Sequence, residues 1–137
     1  TFNVDGMPHA LTAAILGTEA GIGVRNGCFC AHPYVKELLK LTPDEYRTLT
    51  AEVLGGNKSR IPGMVRASVG CYNTEADIDA LAEALARIVR REFKGAYAQD
   101  RATGAFHAEG FAPDFGRYFP GFAGMAPAGA RPFSEAS

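Results

Sequence analysis

From Val65 to Gly70 the sequence alternates without a break, with Val65, Ala67 and Val69 apolar and Arg66, Ser68 and Gly70 between them. A two-residue period puts these sets on opposite faces of a strand, so the segment offers one face to a core and turns Arg66 away from it. A shorter run repeats the arrangement, Ile22 and Val24 alternating with Gly23 and Arg25. In one sheet whose apolar face meets helices, the two runs send Arg25 and Arg66 out on the opposite face.

Helix signals fill the segments between. Leu11, Ala14, Ile15 and Thr18 recur at helical spacing from His9 to Glu19, and Gly21 stands where a left-handed cap ends such a helix. Asn26-Gly27 reads as a turn, Cys28 to His32 as a loop, and Pro33 as the first position of a short helix carrying Tyr34, Val35, Leu38 and Leu39. Thr42, Pro43 and Glu45 spell a capping box ahead of Tyr46, Leu49, Val53 and Leu54. Thr74 with Asp77 caps the longest helix, whose stripe is Ile78, Leu81, Leu85, Ile88 and Val89. Its basic end, Arg87, Arg90, Arg91 and Lys94, reads as a solvated terminus facing the negative pole of the helix dipole.

Together with a strand pattern at Phe2 and Val4, these elements predict an α+β domain. Its expected form is a two-layer sandwich: a small three- to four-stranded, mostly antiparallel sheet with helices on one face. The domain is assigned to residues 1–95. Residues 96–110 read as a hairpin around an Asp-Arg-Ala-Thr-Gly turn, and 111–137 as an extended arm of proline, glycine and aromatic residues.

A length of 137 residues fits one domain, and a formal net charge of -1 gives no reason to expect nucleic acid or an anionic membrane as a partner. There is no transmembrane-length apolar run and no signal-like N-terminus, so the expected location is cytoplasmic. The chain starts at Thr1, inside a strand-like run and without an initiator methionine, as expected of a piece of a longer protein.

The chemistry gathers at GIGVRNGCFCAHP, residues 21–33. Three cysteines at irregular spacing argue for free thiols rather than a disulfide framework. Cys28, Cys30 and His32 lack the gap and the second ligand pair of a zinc site, so no metal is expected. Cys71 and Cys28 read as buried small residues. Cys30 follows a glycine turn near Arg25 and Arg66, the setting that makes a thiolate nucleophile. An arginine fork is also the usual reader of a carboxylate, although a surface ion pair is the ordinary fate of a strand arginine. His9 and His107 look structural or exposed.

GIGVRNGCFCAHP, followed about forty residues later by IPGMVRASVGCYNTEADIDAL, resembles the C-terminal small domain of class V aminotransferases, specifically cysteine desulfurases and selenocysteine lyases. The resemblance covers roughly residues 1–93 and includes the opening FNVDGMPH. It implies a parent of fold type I that uses pyridoxal phosphate and is a homodimer. Cys30 falls where these enzymes keep the cysteine that takes up the substrate sulfur, Arg66 where they bind the substrate carboxylate, and Arg25 at a further active-site arginine.

GCFC stands where desulfurases often have two histidines before the cysteine, and is also similar to molybdenum-cofactor sulfurases. The four lysines, Lys36, Lys40, Lys58 and Lys94, lie in contexts unlike the family's Schiff-base motif. The cofactor is therefore expected in a missing N-terminal large domain, with none bound by this chain alone, which is expected to be inactive. The implied parent is a desulfurase-like lyase acting on cysteine or a related small amino acid. Two alternatives stay open: an aminotransferase or epimerase-like member without sulfur chemistry, and a non-catalytic binding or metal module.

Overall fold

The structure is a computed structural model that describes residues 1–111. The arm expected beyond Phe111 lies outside the described residues. In chain order the elements are α1 (His9–Ala20), β1 (Arg25–Gly27), α2 (His32–Leu38), α3 (Pro43–Leu54), β2 (Met64–Arg66), α4 (Glu75–Val89), β3 (Tyr97–Gln99) and β4 (Phe106–Ala108).

The helices begin and end where local chemistry directs. Gly21 closes α1 in the left-handed conformation, φ 66°, with its N–H donating to the Leu16 carbonyl. At α3, Glu45 N–H donates to Thr42 Oγ1 while Thr42 N–H donates to the Glu45 carboxylate, satisfying two otherwise orphaned donors. At α4, Thr74 N–H donates to the Asp77 carboxylate at 2.7 Å.

The strands depart from expectation. A single sheet of three or four strands does not form among the described residues; there are two antiparallel two-stranded sheets, β1 with β2 and β3 with β4. The strand expected at Phe2–Val4 contributes one bridge, Phe2 pairing with Val65 through two 2.9 Å hydrogen bonds. The hairpin β3–β4 packs on α1 instead of extending β1–β2. The paired segment of the first sheet is also displaced: Asn26 and Gly27, read as a turn, are strand residues opposite Val65 and Met64. The reversal comes later, at Cys28–Ala31, closed by Ala31 N–H donating to the Cys28 carbonyl at 2.7 Å.

Met7, Ile15, Leu16 and Ile88 form the buried centre, with Phe2, Val4, Ile22, Val24, Leu85 and Phe93 packed around it. Burying a side chain of this size is worth roughly 1.5–3 kcal/mol, so the α1–α4 contact is a main source of stability. The α4 stripe is only partly used, since Ile78 and Val89 at its ends are exposed. Its basic end is not simply solvated either: Arg91 donates to the carbonyls of Asp5 and Gly6, and Arg87 lies 3.7 Å from the Glu19 carboxylate.

Candidate functional site

Arg25 and Arg66 are direct partners in the β1–β2 register. Residues opposite one another in an antiparallel pair project from the same face, so the ladder starts both guanidinium groups out side by side. The environments differ: Arg25 is exposed, and Arg66 is half-buried with its guanidinium 5.0 Å from the centre of the Phe29 ring. Arg66 Nε is buried without a hydrogen-bond partner among the described residues. Neither arginine meets a carboxylate among them, so the ordinary surface ion pair is not formed there.

The loop after β1 carries the thiols. Phe29 and Cys30 both have left-handed backbones, φ 52° and 62°. For a bulky residue such as Phe29 this is a true outlier, costing on the order of 1–3 kcal/mol unless its surroundings compel it. The strained turn lays the Phe29 ring along Arg66 and leaves Cys30 exposed. Cys28 is different. Its thiol is half-buried and donates to the Pro62 carbonyl at 3.0 Å, and burial pushes its pKa up. Cys28 is a packed hydrogen-bond donor, whereas Cys71, read as buried, is exposed.

Three successive carbonyls ahead of β2 are each held by a side chain from another segment. His9 Nε2–H donates to Ile61 O at 3.0 Å, Cys28 to Pro62 O, and Asn3 Nδ2 to Gly63 O at 3.2 Å. The other nitrogen of His9, Nδ1, is 3.2 Å from the Asn26 side-chain amide. His9 is thus a buried link between β1 and the approach to β2, a role that its sequence context did not reveal. The Asn-Gly dipeptide and IPG were the available signals, but both also fit ordinary turns.

Behind Cys28, between α2 and α3, lies a cavity of about 200 Å³ lined by Cys28, Val35, Tyr46, Leu49, Val53 and Pro62 among others. Among the described residues no three His, Cys, Asp or Glu side chains gather as metal ligands, and no helix is long and apolar enough to cross a membrane.

The β1–β2 ladder thus brings two strand arginines to one face beside a strained, thiol-bearing turn. The class V aminotransferase family model matches residues 1–81, which include the arginine pair and the loop, and the chain belongs to this family. No curated protein and no solved structure matches the chain.

Enzymes of this family are in general dependent on pyridoxal phosphate. The described residues do not fit the holding of that group. Lys36 lies 4.8 Å from the centre of the Tyr46 ring. Lys40 follows α2, Lys58 lies between α3 and β2, and Lys94 follows α4. None belongs to the β1–β2 ladder or to the Cys28–Ala31 turn.

Proposed function

We propose that this chain is the substrate-facing small domain of a pyridoxal-phosphate enzyme that acts as a cysteine desulfurase-like lyase on cysteine or a related amino acid. The observation that carries the reading is the Arg66 guanidinium, half-buried along Phe29, opposite Arg25, and without a carboxylate partner among the described residues.

Arg66 offers a planar fork that reads a carboxylate through two parallel hydrogen bonds, and Phe29 limits the orientations open to it. Arg25 adds a second positive charge, which favours an anionic substrate at this face. Cys30 supplies an exposed thiol that, as thiolate, is the nucleophile toward the substrate sulfur. The cofactor, held by the rest of the parent enzyme, supplies the electron sink for the amino acid. The parent is expected to be cytoplasmic and, as the resemblance implies, a homodimer.

The test is sulfide release from cysteine by the full-length protein and its Cys30→Ala and Arg66→Ala variants. The expected result is loss of release in the first and a raised KM in the second. Unimpaired release by Cys30→Ala removes the sulfur-acceptor role. Turnover of sulfur-free amino acids independent of Cys30 assigns the parent to the transaminating or epimerising branch instead.

A further inference from the structure

We infer that His9 is a positioning residue for the arginine pair, fixing β1 against β2 so that Arg25 and Arg66 face one substrate group. The inference rests on the carboxylate-binding reading of that pair and adds a residue that reading does not contain.

His9 is 9% exposed and stands at the start of α1, outside both strands. Its ring reaches two segments that the fold must bring together. The Ile61 carbonyl can only accept, so Nε2 carries the proton toward it. Asn26 Oδ1 lies 3.2 Å from Nδ1; in the neutral imidazole Nδ1 is then an acceptor, so the pair is a hydrogen bond with the amide oxygen and nitrogen exchanged, its NH2 donating to Nδ1. One ring thus fixes Asn26, the neighbour of Arg25, and Ile61, on the approach to Arg66.

Packing makes this link hard to replace. A Cβ on Gly63 would lie 2.6 Å from His9 Nε2 and 2.7 Å from Gly27 Cα, so ring, β1 and the entry to β2 are in close contact. Each strand of this sheet has only three residues, so few ladder hydrogen bonds hold the register. Side-chain pegs must supply the rest. Cys28, the residue after β1, also ties that strand's end to the approach to β2 through Pro62, and Asn3 holds Gly63; of the three side chains the His9 ring is the one that hydrogen-bonds two other segments. Losing it lets β1 and β2 shift by fractions of an ångström, enough to spoil a bidentate contact built from two strands.

The experiment compares the full-length wild type with His9→Phe, His9→Gln and Asn26→Ala. Hydrogen–deuterium exchange is followed in the peptides spanning 25–27 and 64–66, and kcat and KM are measured for cysteine. His9→Phe is expected to speed exchange in both peptides but not in the 75–89 helix, and to raise KM about fivefold or more with kcat within about twofold, the scale of one lost hydrogen bond. His9→Gln, which retains a donor to Ile61, is expected to recover part of both effects. Asn26→Ala, at an exposed site, gives the same pattern in milder form and carries the test if His9→Phe does not fold.

Unchanged exchange in both peptides in Asn26→Ala and His9→Gln, with unchanged KM, overturns the inference. Faster exchange with an unmoved KM supports the hold of His9 on the strands and overturns the carboxylate reading of the arginines. A wild type that does not turn over cysteine at all likewise overturns the desulfurase reading, and the exchange measurement still decides the role of His9.

Discussion

Arg25 stands directly across the β1–β2 ladder from Arg66, so two like charges share one face of a sheet only two strands wide. Like charges at opposed positions repel, by about 0.2–1 kcal/mol, and no carboxylate among the described residues lies between them. On the proposed reading, that cost is offset when the pair binds the substrate carboxylate. Arg25→Gln is therefore expected to stabilise the ligand-free protein by about 0.5 kcal/mol at low salt, the gain shrinking as salt screens the repulsion. Urea melts at two ionic strengths measure it. A destabilised variant at low salt would show that the pair is neutralised by other means.

Gly63 marks the closest approach of the entry to β2 against β1 and α1. A methyl group there would sit 2.6 Å from His9 Nε2 and 2.7 Å from Gly27 Cα, distances that real Cβ contacts do not show. Two of the obstructing atoms are backbone atoms of Gly27, so a side-chain rotation cannot relieve the clash. Gly63→Ala is expected to destabilise the protein by roughly 1–3 kcal/mol, the usual cost of overpacking. Gly23→Ala, with open space around the added methyl, is the control. Equal melting points for the two variants would contradict the packing described here.

The difference between what the sequence disclosed and what it hid follows from the range of the interactions. The caps at Gly21, Thr42 and Thr74 depend on residues within a turn or two, and Thr42-Pro43-Asp44-Glu45 states its own structure. Strand limits depend on partners. Asn26-Gly27 carries turn chemistry, and Gly27 does take a positive φ of 109°, yet both residues pair with Val65 and Met64, and further positive-φ residues follow at Phe29 and Cys30. No local propensity picks phenylalanine for that backbone. The same holds for the site: the arginines could be read from alternation along each strand, whereas Phe29 beside Arg66 and His9 beneath the ladder arise from contacts 37 and 52 residues apart in sequence for Phe29–Arg66 and His9–Ile61.

The two cysteines of GCFC should respond differently to alkylation. Cys30 is exposed, while Cys28 is half-buried, bonded to Pro62 O and pushed up in pKa by burial. Because the thiolate is the reacting form, limiting iodoacetamide at pH 7.5 is expected to modify Cys30 first and Cys28 about tenfold or more slowly. Peptide mass spectrometry over time reads the order. Reaction of Cys28 ahead of Cys30 would move the nucleophile assignment to Cys28.

Glu19 and Tyr97 make the last prediction, in the pH dependence of stability. Burial alone would raise the Glu19 carboxyl, but the N–H groups of Gly95 and Lys94, the Tyr97 hydroxyl and the Arg87 charge together hold it below its ordinary 4.5. The clasp ties the end of α1 to the chain between α4 and β3. A carboxyl with a lowered pKa binds its proton more weakly when folded, so its stabilisation is present above 4.5 and is lost as pH falls through the lowered value. Tyr97 behaves oppositely. Burial, then the Glu19 charge and hydrogen bond, push its hydroxyl from 10.0 up to about 12. Its stabilisation is therefore full below 10.0 and is lost as pH rises towards about 12. Glu45, Asp77 and Asp100 are lowered as well, and Cys28 is raised, so the diagnostic quantity is the difference between wild type and variant. Urea midpoints of Glu19→Gln should approach those of wild type at both ends of the range and fall below them most clearly near neutrality. Tyr97→Phe should draw closer to wild type on the alkaline side and, in part, on the acid side, where protonation of Glu19 removes the charge that the Tyr97 hydroxyl bonds. Midpoint curves that run parallel to wild type from pH 4.5 to 10.0 and beyond in both variants would mean that the clasp does not form.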